Sequence, residues 1–91
     1  MAIRVTVDLR PFGTGEPETI GILDIGNRDA IGQICDYDYR FAAPGRDGPL
    51  TFGPWYVVRA HDRRRGIWAL VAQILARRAA GTEELSDYTG N

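Results

Sequence analysis

Between Trp55 and Ala80 the chain carries its one convincing helix, directly behind a strand, and this pair limits the fold more than any other feature. Trp55-Tyr56-Val57-Val58-Arg59-Ala60-His61 reads as the strand and Asp62 as a polar turn. Apolar residues then fall at Ile67, Leu70, Val71, Ile74 and Leu75. That is the spacing of a stripe on one helix face. Asp62 is placed to cap the start of the helix and Gly81 to end it. A helix of this kind has one face to bury, and the earlier residues read as the strands it covers.

Those strands follow from alternation. Ile3, Val5, Val7 and Leu9 alternate with Arg4, Thr6, Asp8 and Arg10, which predicts a strand with one buried and one wet face. The Pro11–Pro17 segment, with Gly13-Thr14-Gly15, reads as a loop. Glu18 to Ile25 predicts a second strand whose pattern changes phase, so either both faces are partly covered or a bulge sits near Ile22-Leu23. Gly26-Asn27-Arg28-Asp29 reads as the turn that follows, closed by Gly32. Gln33 to Ala42 predicts a third strand with Cys35, Tyr37, Tyr39 and Phe41 on one side and Ile34, Asp36, Asp38 and Arg40 on the other. The fourth runs from about Leu50 to His61, with Pro54 marking an edge or a bulge. Continued alternation sets Tyr56, Val58 and Ala60 on the core side and Trp55, Val57, Arg59 and His61 on the other.

Short connections favour sequential antiparallel neighbours. The expected fold is therefore α+β, a four-stranded antiparallel meander with one C-terminal helix packed on one face. It forms a single domain over residues 1–81. Residues 82–91 read as an acidic, weakly ordered tail with little to bury but Leu85 and Tyr88.

Composition narrows the function. The formal net charge is −1, so the molecule as a whole has no strong pull on nucleic acid or on anionic membranes. All 11 basic residues are arginine. Alanine and glycine are also abundant, as GC-rich codon usage produces. The single cysteine, Cys35, excludes an internal disulfide and fits a reducing compartment. There is no apolar run of signal-peptide or membrane-spanning length, so the expected location is the cytoplasm.

Chemistry-bearing motifs are few. Arg63-Arg64-Arg65 at the helix start is the densest charge cluster. Together with Arg59 it would serve a phosphate backbone, or an acidic protein partner. Three cations at the positive end of a helix dipole are locally unfavourable. His61 shares the predicted outer face with Asp36 and Asp38, which permits a metal or acid–base site, but no ligand motif supports one. Pairing of those aspartates with Arg59 or Arg4 is the simpler reading. Cys35 falls on the apolar side, away from the predicted position of His61, as an inert thiol. Gly13-Thr14-Gly15 lacks the glycine and lysine of nucleotide-binding loops. No catalytic, cofactor or metal residue is assigned.

Four pieces of the chain carry a resemblance. They are the Gly13-Thr14-Gly15 loop, Gly26-Asn27, the Tyr37-Asp38-Tyr39-Arg40 strand, and Arg59-Ala60-His61-Asp62-Arg63-Arg64-Arg65-Gly66-Ile67-Trp68-Ala69-Leu70-Val71 opening the helix. Together they resemble small proteins of unknown function from actinobacteria and their bacteriophages, over most of residues 13–75. The resemblance implies a compact sheet-plus-helix protein, such as a phage accessory protein, and brings no catalytic residues. The expected function is a non-enzymatic protein-interaction module, acting on a host protein or on itself as a homodimer. Its expected contacts are Trp55 and Val57 on the uncovered sheet face with Arg59, Arg63, Arg64 and Arg65. Nucleic-acid binding through Arg59 and Arg63–Arg65 is the alternative.

Overall fold

The structure, a computed structural model, describes residues 2–13 and 15–88, with Pro11, Asn27, Arg28 and Asp29 described by their backbone alone. Six strands and one α-helix follow in chain order: β1 (Ala2–Leu9), β2 (Glu18–Ile31), β3 (Ile34–Pro44), β4 (Leu50–Phe52), β5 (Tyr56–Asp62), α1 (Ile67–Ala80) and β6 (Glu84–Leu85). All pairings are antiparallel, in the order β1-β2-β3-β5-β6, and β4 pairs with the far end of β3. The helix lies on one face of this sheet. The α+β class, the antiparallel sheet and the single C-terminal helix are as the alternation predicts.

Among the described residues the strand count is six rather than four, for two physical reasons. The predicted fourth strand breaks at Gly53-Pro54-Trp55 into β4 and β5. Its partner sums slip by one residue there, Ala42 opposite Phe52 but Tyr39 opposite Tyr56. That is the bulge a strand proline demands. The sixth strand comes from the tail, where Tyr56 and Val57 pair with Leu85 and Glu84.

The β2–β3 hairpin is also longer than expected. The backbone from Gly26 to Ile31 stays extended, and the chain reverses at Gly32-Gln33, where Gly32 takes the left-handed conformation (φ 60°) that a two-residue hairpin turn needs. The predicted turn at Asn27-Arg28-Asp29 is instead a bulge in the ladder between Asn27 and Asp29. The side chains of those three residues, and Thr14 of the predicted Gly-Thr-Gly turn, lie outside the described residues. At Ile22-Leu23 the register is unbroken and both faces are partly covered, Leu23 buried toward Val5 and Phe41 and Ile22 half-buried between Thr6 and Ala42. A bulge does occur nearby, at Ile20, where Val7 pairs with Gly21 and Asp8 with Thr19.

Direct cross-strand partners share a face. One face therefore gathers Ile3, Val5, Leu23, Ile25, Cys35, Tyr37, Tyr39, Phe41, Tyr56 and Val58. Against it the helix buries Leu70, Val71 and Ile74, with Ile67 at the margin. Leu75, expected in the stripe, lies half-exposed beyond the sheet. Gly81 (φ 69°) ends the helix as predicted, its amide bonding back to Arg77 and Arg78 carbonyls. Asp62 caps a short 3-10 turn, Arg63–Arg65, by accepting from the Arg64 amide, and α1 itself starts after Gly66.

The strict alternation expected through β5 fails at Ala60. This residue takes a left-handed φ of 61° and stands with Arg59 opposite Asp36 as a bulge, with its amide donating to Asp36 Oδ1 at 2.7 Å. Beyond the bulge the faces swap. His61 pairs with Cys35 and enters the core, 3% exposed, while Ala60 turns outward.

The tail is tied down through Tyr88, where its composition predicts looseness. Glu83 accepts from the buried Tyr39 hydroxyl at 3.0 Å and from Arg78 at 3.2 Å on the helix side. β6 then follows the edge of β5, and Ser86 and Tyr88 reach the opposite face. Buried hydrogen-bonding groups on the sheet supply the hold that apolar area does not.

Candidate functional site

On the face away from the helix, the register lines up Arg4, Asp24 and Arg40 as direct neighbours across β1, β2 and β3. Arg4 grips Asp24 with two bonds, Nε at 2.6 Å and Nη2 at 2.9 Å, and Arg40 Nε reaches the same carboxylate at 3.1 Å. The Arg4 bond, aided by Arg40, holds the Asp24 carboxyl below its usual range and pushes the Arg4 guanidinium upward. Two cations thus share one anion, and the row keeps one positive charge.

Aromatic rings frame this row. The Arg40 guanidinium lies over the Phe52 ring, 4.0 Å from its centroid, and beside Trp55 at 5.0 Å. A planar cation against ring faces is a cation–π arrangement. Trp55 meets Tyr88 edge to face, with centroids 4.7 Å apart and ring planes at 88°. Arg40, Trp55 and Tyr88 border a groove of about 310 Å³ whose walls also include Ala2, Arg4, Asp24 and Gly26; Phe52 backs Arg40 from outside it. Trp55 is half-buried and Tyr88 exposed.

Ser86 holds the Tyr88 wall. Its amide donates to the Trp55 carbonyl at 3.0 Å, its hydroxyl donates to the buried Asp38 carboxylate, and that hydroxyl accepts from the Tyr88 amide at 3.1 Å. The chain's own tail therefore covers the neighbourhood of Val57, whose exposure is 0%. That removes Val57 from the predicted contact surface and leaves Trp55 on it.

The predicted contact set is also divided in space. Arg59 bonds Glu84 of the tail at 3.2 Å and stands 3.7 Å from Asp36. The pairing of Asp36 with Arg59 is as the sequence suggests, whereas Arg4 takes Asp24. Arg64 folds back on Asp62, 2.8 Å away, and this guanidinium, with the Arg64 amide, holds the Asp62 carboxyl down to about 2. Arg63 and Arg65 are exposed. Arg63 helps line a second cavity of about 180 Å³ on the helix side, with Ile3, Tyr37, His61, Gly66, Ile67 and Leu70. The arginine cluster and the Trp55 groove are separate surfaces.

The bulge at Ala60 also dismantles the predicted metal arrangement, since it puts His61 on the opposite face from Asp36 and Asp38. Among the described residues no three His, Cys, Asp or Glu side chains are grouped to hold a metal. It sets His61 across from Cys35 instead, contrary to the separation expected for them. The histidine Nδ1 lies 3.2 Å from Gln73 Oε1, its ring packs edge-on against Tyr37, and Nε2 has no hydrogen-bond partner among the described residues. With the thiol 1% exposed, this pair has neither the mutual hydrogen bond nor the access that nucleophilic catalysis requires.

Phe52, Arg40, Asp24 and Tyr88 were not legible as site residues. The row Arg4-Asp24-Arg40 needs the hairpin registers, and Tyr88 needs the tail's path. No family model matches the chain, and neither a curated protein nor a solved structure matches it. Among the described residues no helix is long and apolar enough to cross a membrane.

Proposed function

We propose that this chain is a non-enzymatic protein-interaction module that receives its partner in the Arg4–Asp24–Arg40–Trp55–Tyr88 groove. The observation that carries the reading is the half-open Trp55–Tyr88 pair set beside two arginines that share one aspartate. Tryptophan, tyrosine and arginine are the residues that dominate binding energy at interfaces. An aromatic centre with a charged rim has interface anatomy. The surplus positive charge favours a partner that presents a carboxylate beside an apolar group. The resemblance to actinobacterial and phage proteins suggests an accessory protein acting on a bacterial host protein.

Affinity capture from an actinobacterial lysate tests this, with wild type beside Trp55→Ala, Arg40→Ala and the triple change of Arg63, Arg64 and Arg65 to Ala. The groove variants should lose the captured protein and the triple variant should keep it. Capture that survives both groove changes overturns the assignment. The nucleic-acid alternative rests on Arg59 and Arg63–Arg65, of which Arg59 and Arg64 are already paired with carboxylates. Steeply salt-dependent DNA binding, lost in the triple variant, would favour it over the groove.

A further inference from the structure

We propose that β1 is a self-pairing edge, and that two copies of this chain join β1 to β1, antiparallel, about a twofold axis at Thr6. β1 is the outermost strand of the sheet, and no described strand pairs with its outer side. An open edge of eight residues is a template for pairing. Natural edges are usually blunted by proline, by a bulge in the edge strand, or by a charge aimed into the core. β1 has no proline, and the extra residue of the nearby bulge is Ile20 of β2. Its charges, Arg4 and Asp8, share the face away from the helix.

The partner is identified by the strand's own sequence. Pairing about Thr6 sets Val5 opposite Val7, Arg4 opposite Asp8, and Ile3 opposite Leu9 of the second copy. Apolar residues then meet on the helix side and opposite charges meet on the other, as stable cross-strand pairs require. Moving the axis to Val7 would place Arg4 opposite Arg10. Moving it to Val5 would leave both charges facing Thr6 and Ala2. Only the Thr6 axis matches every pair. Val7 and Leu9 are 44% and 51% exposed in the single chain, and this pairing covers them with Val5 and Ile3 of the second copy. Isologous contacts of this kind close into a twofold dimer. Ala2 and Arg4 line the groove, so the dimer would carry two grooves on one face, flanking the axis, and would engage a repeated partner bivalently.

The test combines sedimentation with a cysteine at the axis. Directly opposed antiparallel residues have Cα atoms about 4.5–5.5 Å apart, within disulfide reach. Thr6→Cys should therefore cross-link into a covalent dimer under mild oxidation. Asp8→Cys, which would face Arg4 of the second copy, should not. Cys35 is buried and does not compete. Wild type should sediment as a dimer at micromolar concentration. Thr6→Lys, at an exposed position, should weaken the dimer at least about tenfold while the monomer keeps its folded circular-dichroism spectrum. A wild type that stays monomeric at its highest soluble concentration overturns the proposal. So does a dimer indifferent to Thr6→Lys, or equal cross-linking from positions 6 and 8. None of these outcomes bears on capture by the groove.

Discussion

Ser86→Ala should release the tail from the outer face of the sheet. The change deletes two hydrogen bonds, the hydroxyl's bond to the Asp38 carboxylate and the Tyr88 amide's bond to the hydroxyl, and leaves the amide bond to Trp55 in place. A hydrogen bond to a charged, buried partner is worth about 1.5–3 kcal/mol, and the exposed amide bond adds about 0.5, the low end for an ordinary bond. The expected loss is thus about 2 kcal/mol. For a domain of this size, 1 kcal/mol moves the melting temperature by roughly 4–8 °C, so a loss felt wholly as global stability would lower it by roughly 8–16 °C. The tail's other anchors include the two-residue β6, the Glu83 bonds and the exposed Arg59–Glu84 pair, all at the sheet edge or surface, so part of the loss should appear as local opening. Two readouts separate the parts. Thermal melts report the global share, and hydrogen exchange at the amide of residue 86 reports the local one. In a Trp68→Phe background, emission from Trp55 should also shift red as Tyr88 leaves it. An unchanged melt together with unchanged exchange at that amide would refute the clasp.

Three further outcomes follow from the same geometry. Ile74→Asp should be more damaging than Val71→Asp, because Ile74 is 0% and Val71 8% exposed and a buried carboxylate has no partner there; chemical denaturation would rank them, and equal midpoints would contradict the packing. Ala60→Gly should leave stability unchanged or raise it by up to about 1 kcal/mol, since glycine takes a left-handed φ without the Cβ penalty; a clear loss in urea melts would mean the bulge is not held as described. Asp62 and Asp24 both have carboxyl groups held below their ordinary range by arginine, so their stabilisation is complete above the unfolded value of about 3.9 and is lost as pH falls. For Asp62 the loss runs down to about pH 2, and Arg64→Ala should flatten the acid limb of the stability profile over that window; an unchanged limb would count against the pair.

Alternation and helical spacing were enough to read the sheet, the helix and the shared core of Tyr37, Tyr39, Tyr56, Val58, Leu70, Val71 and Ile74. Alternation is a parity rule, and one inserted residue reverses everything beyond it. That is why alternation puts His61 on the wrong face: nothing in Arg59-Ala60-His61 announces that an alanine will sit at positive φ. Pro54 does announce its bulge, and that break was legible. Tyr88 and Val57 escape the sequence pattern for a different reason. The tail docks through Glu83 to Tyr39 and Ser86 to Asp38, contacts more than 40 residues apart in sequence that no local pattern encodes. Trp55 was recognisable because an aromatic on the outer side of a one-sided core stands out, but its arginine neighbours came from registers that only the folded sheet defines.

Site-specific photo-cross-linking tests the groove most directly. A benzophenone amino acid in place of Tyr88 keeps an aromatic group on the groove wall, and the same group in place of Ala72 marks the exposed side of the helix. Irradiated in a bacterial lysate, the protein labelled at position 88 should form one discrete heterologous adduct that disappears with Arg40→Ala, and the protein labelled at position 72 should form none. No adduct from position 88, or the same adduct from both positions, would contradict the groove as the partner's seat.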